Sequence, residues 1–318
     1  MFPKNTFRPK LKRYAFSLFL PLVLFSCATQ GPVKERKSGT EKNVPSAAEE
    51  ITSSLPGTEI PSPGKGSEAN LTPFKAEALP DYLTIVAAGD NLYHEVMIKE
   101  SEAGDYKSIY GEIRDLVEKA DIAFINQETL LAGKDFGFSG YPQFNSPQEL
   151  GRAIAAAGFN VVNHATNHIM DKGEKAILAT MDFWETIPQV TILGIHRSEE
   201  QRNLPKLVKK NNICVGFLAY TYGTNAIPVP AGKSFLVSLA DIEIMEKEID
   251  ALRPLCDFLV VSMHWGEEYQ YDYSKNQEKL AAFLAEHNVD LVIGHHPHVI
   301  QPVEYIARPD GGNMLCFY

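Results

Sequence analysis

The stretch DLVIGHHPHVIQP, residues 290–302, is an apolar run of strand length that stops abruptly in a cluster of imidazoles. An unbroken run of valine, isoleucine and leucine marks a strand buried on both faces. The same form recurs at LTIVAAG (83–89), DIAFIN (121–126), FNVVNH (159–164), VTILG (190–194), ICVGFLAY (213–220) and DFLVVSMH (257–264). Stretches of helical period lie between them: YKSIYGEIRDLVEKA, SPQELGRAIAAAG, EKAILATMDFWETI, LADIEIMEKEIDAL and NQEKLAAFLAEHN. Ser146 ahead of Pro147 predicts one helix start, and Asp171 ahead of Lys172-Gly173-Glu174 predicts another. Strands alternating with crossover helices predict an α/β domain with a largely parallel sheet, and periodicity alone suggests a single open sheet. VEYIARP and MLCFY flank Pro309-Asp310-Gly311-Gly312-Asn313, a turn cluster, and predict a closing hairpin.

Ahead of this domain the sequence has another character. Residues 1–26 run from a basic stretch (Lys4, Arg8, Lys10, Lys12, Arg13) through the apolar AFSLFLPLVLF to Ser26-Cys27, the order of a signal peptide. The apolar run is shorter than the ~20 residues of a spanning helix, and Pro21 interrupts it. Leu24-Phe25-Ser26-Cys27 resembles a lipobox, which makes Cys27 the expected lipidation site and the chain a membrane-anchored lipoprotein, extracytoplasmic on the cell membrane or outer membrane. An uncleaved anchor or ordinary signal peptide is the alternative. Residues 27–80 are rich in Ser, Gly, Pro, Lys and Glu with no apolar period, the composition of a disordered tether. The domain is therefore expected over 81–318.

The whole chain carries a net charge of −10, and about −15 once the basic leader is removed. Such a surface excludes nucleic-acid binding through a basic patch. It also means that a polyanionic substrate would need a local cation, most simply a metal. Cys214, Cys256 and Cys316 are an odd set without CxxC, which implies no disulfide framework; Cys214 within ICVGFLAY and Cys316 within MLCFY read as buried small hydrophobes.

In α/β sheets ligands collect at the carboxyl ends of the strands, and the polar residues of this chain gather there. Asp90 follows the first strand; Asn126 and Glu128 follow the second; Asn163, His164, Asn167 and His168 follow the third. His264 ends a later strand, and His295, His296 and His298 follow the last parallel one. Taken singly, Asp90 reads as a turn residue or helix cap, Asn167 as a loop residue and His264 as a partner for a backbone carbonyl; His295 is expected to point away. Taken together, oxygen donors and imidazoles without cysteine suit one or two divalent ions of Mn, Fe or Zn. His296-Pro297-His298 is the most specific piece, because a proline fixes the separation of two imidazoles. His168, next to Asn167, is placed to donate a proton to a leaving group. Trp265, Glu268 and Tyr269, within HWGEEYQYDY, and Asn126 are the candidate substrate contacts. The alternative for these aromatics is loop packing over the sheet edge. Glu267 and Glu268 add negative charge, so a metal-free pocket is expected to repel an anionic polymer.

Five pieces in order resemble the CapA family of poly-γ-glutamate capsule-synthesis proteins, whose domain is similar to the calcineurin-like metallophosphoesterases. They are Gly89-Asp90, Asn126-Gln127-Glu128, Ala165-Thr166-Asn167-His168 with Asp171 and Gly173, His264-Trp265-Gly266 with Glu268-Tyr269, and Gly294 with His296-Pro297-His298 and Gln301-Pro302. The resemblance implies a four-layer α/β/β/α sandwich. It also implies Asp90 and His298 on one metal, Glu128 bridging, Asn167, His264 and His296 on the second, and His168 as proton donor. The chain departs from the pattern at Leu92, where phosphoesterases of this fold usually carry histidine, and at Thr166, Lys172 and His164. The family continues beyond the last strand, so a C-terminal truncation at Tyr318 is expected.

Three functions follow from these readings. The first is a metal-dependent hydrolase or transferase acting on phosphate esters or a surface polymer in capsule assembly. The second is a non-catalytic protein of the capsule-synthesis machinery that binds or anchors the anionic polymer. The third is a secreted nucleotidase or phosphodiesterase.

Overall fold

The apolar runs form strands whose ends lie within two residues of the expected positions. The computed structural model describes residues 82–102 and 106–318. The expected signal peptide, the tether and Cys27 lie outside the described residues. The order is β1 (Ile85–Asn91), α1 (Glu95–Glu102), a 3-10 helix (Tyr106–Ile113) running into α2 (Arg114–Glu118), β2 (Ile122–Gln127), α3 (Gln148–Ala156), β3 (Val161–Asn163), α4 (Gly173–Glu185) and β4 (Thr191–Leu193). Then come α5 (Glu199–Arg202), β5 (Leu207–Lys210), β6 (Ile213–Thr221), α6 (Ile242–Leu252), β7 (Phe258–His264), α7 (Lys275–Glu286), β8 (Leu291–His295) and the hairpin β9 (Val303–Ala307) and β10 (Asn313–Phe317).

The strands divide into two sheets, which corrects the single open sheet that periodicity suggests. One has the order β1-β2-β3-β4 and is wholly parallel. The other has the order β5-β6-β7-β8-β10-β9, parallel in its centre, with β5 and β9 antiparallel at its edges. Periodicity reports that both faces of a strand are buried, not what buries them. Alternate residues of β2 answer that: Ala123 and Ile125 pack under Leu150, Ile154 and Trp184 of the helices, whereas Ile122 and Phe124 join Val215, Phe217, Val260 and Ile293 of the second sheet. On its far side the second sheet packs Leu259, Val261 and Val292 against Met245, Ile249, Leu280 and Leu284 of α6 and α7. The layers are thus helix, sheet, sheet, helix. Phe124 and Phe217 are fully buried between the sheets, where removing either ring is expected to cost about 3–5 kcal/mol.

Local signals explain the element ends. Ser274 and Gln277 make a capping box at the start of α7, and Asp241 accepts from the Ile244 amide at the start of α6. Two expected starts differ. Pro147, not Ser146, is the N-cap of α3, and the Ser146 hydroxyl bonds that of Thr129 at 2.8 Å. Lys172, not Asp171, precedes α4, because Asp171 turns back to the site. β5, α1 and α5 were not foreseen. β5 is a short edge strand ending in two lysines, a sequence with little apolar signal. The three cysteines are free thiols; of the two expected to be buried, Cys316 is, whereas Cys214, like Cys256, is half-buried. Among the described residues no helix is long and apolar enough to cross a membrane.

Candidate functional site

The carboxyl ends of β1, β2, β3, β7 and β8 bring the predicted cluster together from both sheets. Asp90 lies in β1 at a register shift against β2, which turns its carboxylate toward the second sheet. There His298 Nδ1 approaches Asp90 Oδ2 at 3.0 Å, and the His296 amide donates to the same oxygen at 3.0 Å. The Asn126 amide donates to Asp90 Oδ1 at 2.7 Å and lies 3.3 Å from His264 Nδ1. Its oxygen accepts from Asn163 at 2.6 Å. His264 Nε2 faces Asn167 Oδ1 at 2.9 Å and Glu128 Oε1 at 3.7 Å, while His298 Nε2 lies 4.0 Å from the same Glu128 oxygen. His296 and His298 both hold positive φ, 97° and 54°, a conformation uncommon for residues other than glycine.

Glu128 is the unusual member. Its side chain is fully buried, and neither carboxylate oxygen has a hydrogen-bond partner. Burial, then the negative charges of Asp90, Glu268 and Asp171, push its carboxyl well above the ordinary range. Burial acts against Asp90 too, but the His298 hydrogen bond and the neighbouring imidazoles overcome it and hold that carboxyl far below its usual value. Burial pushes His264 well down against the pull of Asp90, and lowers His296 to about 4, leaving both rings neutral with a lone pair to offer. For His298 burial is outweighed by the hydrogen bond and charge of Asp90, and its value rises.

A buried carboxylate without donors, beside the neutral imidazoles of His264 and His296, fits a cation better than it fits an empty pocket. Donor atoms of Glu128, His264 and His296 lie within 4.8 Å of one another, as do those of Asp90, Glu128 and His298, and those of Glu268, His296 and His298. Glu128 thus belongs to both inner groups and can bridge them.

His168 stands beside this cluster. Its Nδ1 lies 2.8 Å from Asp171 Oδ2, which also accepts from the Phe144 amide at 2.7 Å. The Phe144 ring meets the imidazole edge-on at 4.7 Å. A carboxylate on Nδ1 fixes the tautomer, so Nε2 is the nitrogen left to exchange a proton.

Several expectations change. Asn126 has no exposed surface and uses its amide on Asp90 and His264 and its oxygen on Asn163, so it orients the site rather than touching a substrate. Trp265 is buried and stacks on Tyr318, and the half-buried Tyr273 also stacks on Tyr318, so both pack the loop. Tyr269 is exposed with its ring 6.0 Å from that of His298, and Glu268 reaches the cluster from the surface. His295, expected to point away, is buried against Phe124 with Nδ1 3.7 Å from Asp90 Oδ1. His164 is a core residue that accepts from the Trp184 indole at 2.7 Å. Tyr222 and Asn225, after β6, were missed. The Tyr222 ring is tilted against that of His296 at 4.8 Å, and Asn225 accepts from the Asn167 amide at 3.2 Å. The strand-end rule that found the other residues applies equally to β6.

Comparison with known proteins gives four findings. The family model described as "Bacterial capsule synthesis protein PGA_cap" matches residues 84–318. A "PGA biosynthesis protein CapA" of Bacillus subtilis (strain 168) is 26% identical over 238 residues, covering 70% of this chain and 60% of its own. A "Capsule biosynthesis protein CapA" of Bacillus anthracis is 30% identical over 163 residues, covering 49% of this chain and 39% of its own, so the chain spans about half the length of these relatives. Among solved structures, an NAD nucleotidase of Haemophilus influenzae aligns at TM-score 0.44 and 10% identity, covering 67% of this chain and 43% of that one, a likeness too loose to inform activity.

Proposed function

The chain belongs to the PGA_cap family of bacterial capsule synthesis proteins, and from that premise we propose that it is an extracytoplasmic, lipid-anchored, metal-dependent hydrolase acting on an anionic surface polymer or a phosphate ester during capsule assembly. The observation that carries the reading is the Glu128 carboxylate, buried without donors between the His264–His296 pair on one side and Asp90 with His298 on the other. Asp90 and His298 would hold one divalent ion of Mn, Fe or Zn, Asn167, His264 and His296 the other, with Glu128 shared. An ion there supplies Lewis acidity toward the oxygens of a phosphoryl or acyl group.

The remaining work falls to the chain. Asn126 and Asn163 hold Asp90 and His264 in position through short side-chain bonds. Asp171 keeps one proton of His168 on Nδ1; a second proton, taken from solvent on Nε2, passes to the leaving oxygen and returns the ring to its neutral form, the imidazolium meanwhile being stabilised by the same carboxylate. The exposed Tyr269 and Tyr271 offer ring faces along the rim for a polymer backbone. Attachment at Cys27 would keep the domain beside the membrane where polymer emerges.

Metal content of the purified chain by elemental analysis, beside a His296→Ala, His298→Ala double variant, tests this, followed by turnover of a chromogenic phosphodiester with manganese. Metal lost in the variant together with metal-dependent turnover supports the reading; folded wild type without stoichiometric metal refutes it. Leu92, standing where phosphoesterases of this fold usually have histidine, favours a second reading in which the protein binds polymer without cleaving it. Stoichiometric metal with no turnover, and polymer affinity that disappears on chelation, would select that one.

A further inference from the structure

Away from the strand-end cluster, a cleft of about 180 Å³ opens between α6, the segment 202–206 and the strands β4 and β6. Its walls are largely apolar, with Leu193, Phe217, Leu252 and Leu255 among them. Against that background three nitrogen donors lack acceptors. Arg202 is buried; its Nε is held by Glu248 at 2.6 Å and its Nη1 by the Ser234 carbonyl at 3.0 Å, but Nη2 has no partner. His196 is buried with Nε2 3.1 Å from the Ser238 hydroxyl, and its Nδ1 has no partner; that nitrogen carries the ring proton when Ser238 donates to Nε2. The Lys206 ammonium makes no hydrogen bond or ion pair among the described residues.

An unsatisfied buried donor is costly, and two of them, with the part-exposed Lys206 ammonium beside them, are what an anion-binding pocket contains. We propose that this cleft binds a small organic monocarboxylate with a compact apolar body, its two oxygens taking hydrogen bonds from Arg202 Nη2, His196 Nδ1 and the Lys206 ammonium.

Size and charge narrow the class. An apolar cavity of about 150 Å³ admits benzene, so this volume suits a body of that size bearing one acidic group. Glu248 also lines the cleft, bound by Arg202 and by the Tyr220 hydroxyl at 2.6 Å, and its carboxylate balances the guanidinium charge. The desolvated Lys206 ammonium is pulled down from its ordinary value, and burial reinforced by Arg202 and Lys206 lowers His196 to about 3, which leaves that ring neutral. Lys247 also lines the cleft but is exposed to solvent; of the groups inside, Arg202 and Lys206 against Glu248 leave one positive charge, which matches one carboxylate better than a phosphate dianion beside Glu248. The site is independent of the metal reading. Its floor nevertheless adjoins the loop that carries Asn167, since the Ser238 backbone amide donates to the Gly194 carbonyl, and Gly194 (φ 82°) packs so closely on Ala165, two residues from Asn167, that a Cβ would collide with it.

Calorimetric titration of the full chain in chloride buffer with benzoate, acetate, benzamide and inorganic phosphate tests the proposal. Saturable benzoate binding is expected, with acetate and benzamide at least about tenfold weaker, since each lacks one half of the match. Lys206→Met, which keeps the stem and removes the charge, is expected to weaken benzoate about three- to tenfold, and Arg202→Gln at least about tenfold. Should Arg202→Gln fail to fold when Glu248 loses its partner, Lys206→Met decides alone. Phosphate binding as tight as benzoate would overturn the carboxylate assignment. Absence of saturable benzoate binding would leave the cleft to water, and undiminished affinity in the variants would place the binding elsewhere.

Discussion

Replacing Glu128 by glutamine changes one atom type at the centre of the candidate site and is expected to move stability in opposite directions with and without metal. In metal-stripped protein the carboxylate has no hydrogen-bond donor, no solvent, and Asp90 as a negative neighbour. It therefore remains charged at a desolvation cost or takes up a proton at neutral pH, and folding bears the penalty either way. An amide of the same shape removes the charge while leaving its polar atoms unpaired, so the gain is part of the full penalty, about 1–3 kcal/mol. At about 2–4 °C per kcal/mol for a domain of this size, a mid-range gain raises the melting temperature by about 4–8 °C. With manganese at 100 times its dissociation constant the wild type gains about 2.7 kcal/mol, and the variant, lacking the shared ligand, gains little. Scanning calorimetry of both proteins, in chelator and in excess manganese, should show the order of melting temperatures inverting. A stripped Glu128→Gln protein less stable than wild type, or equal metal-induced shifts in both, would refute the assignment of Glu128 as a carboxylate kept for a cation.

Three further outcomes are expected. His168→Asn should lower turnover of a phosphodiester by about 10²–10⁴-fold with metal content unchanged, and Asp171→Asn should lower it less, as measured by initial rates beside elemental analysis. Burial holds His164 at about 3, against 6.5 for an ordinary histidine, so the native state takes up its proton later than the unfolded chain; this contribution is complete above about pH 6.5 and is lost as pH falls, by about 2 kcal/mol at pH 5. His164→Gln, which retains an acceptor for Trp184, should shrink the drop in urea-unfolding free energy between pH 7 and pH 5 by that amount. Asp290 holds Arg253, Arg308 and the Leu259 amide at once, so Asp290→Asn should cost about 2–3 kcal/mol in the same unfolding measurement while leaving metal content untouched.

The strands and their polar ends were legible because both depend on local sequence. A run such as DFLVVSM needs burial on two faces whatever covers them, and the residue that ends it, His264, has to leave the sheet where its neighbours leave it. What local sequence does not carry is which buried faces meet. Ile122 and Phe124 face another sheet while Ala123 and Ile125 face helices, and nothing in their residue types distinguishes the two environments; only the resemblance to a known family implied two sheets.

The same limit governs the site. Asp90, Glu128, Asn167 and the three imidazoles were found one strand end at a time, but their separate roles depend on partners far away in the chain. Asp171 reads as a helix start because its neighbours begin a helix; it serves instead to hold His168, three residues away across a turn. Trp265 reads as a pocket wall because it adjoins a ligand candidate, yet strand alternation sends it to the opposite face, against Tyr318. Arg202 had no signal at all, since an arginine in a short polar helix is ordinarily solvated; only burial by Leu252 and Phe217 across the cleft turns its third nitrogen into an unmet donor. Sequence thus identifies groups by type and strand position, while the fold supplies the dielectric and the neighbours that decide whether a group is a ligand, a support or an unpaired donor.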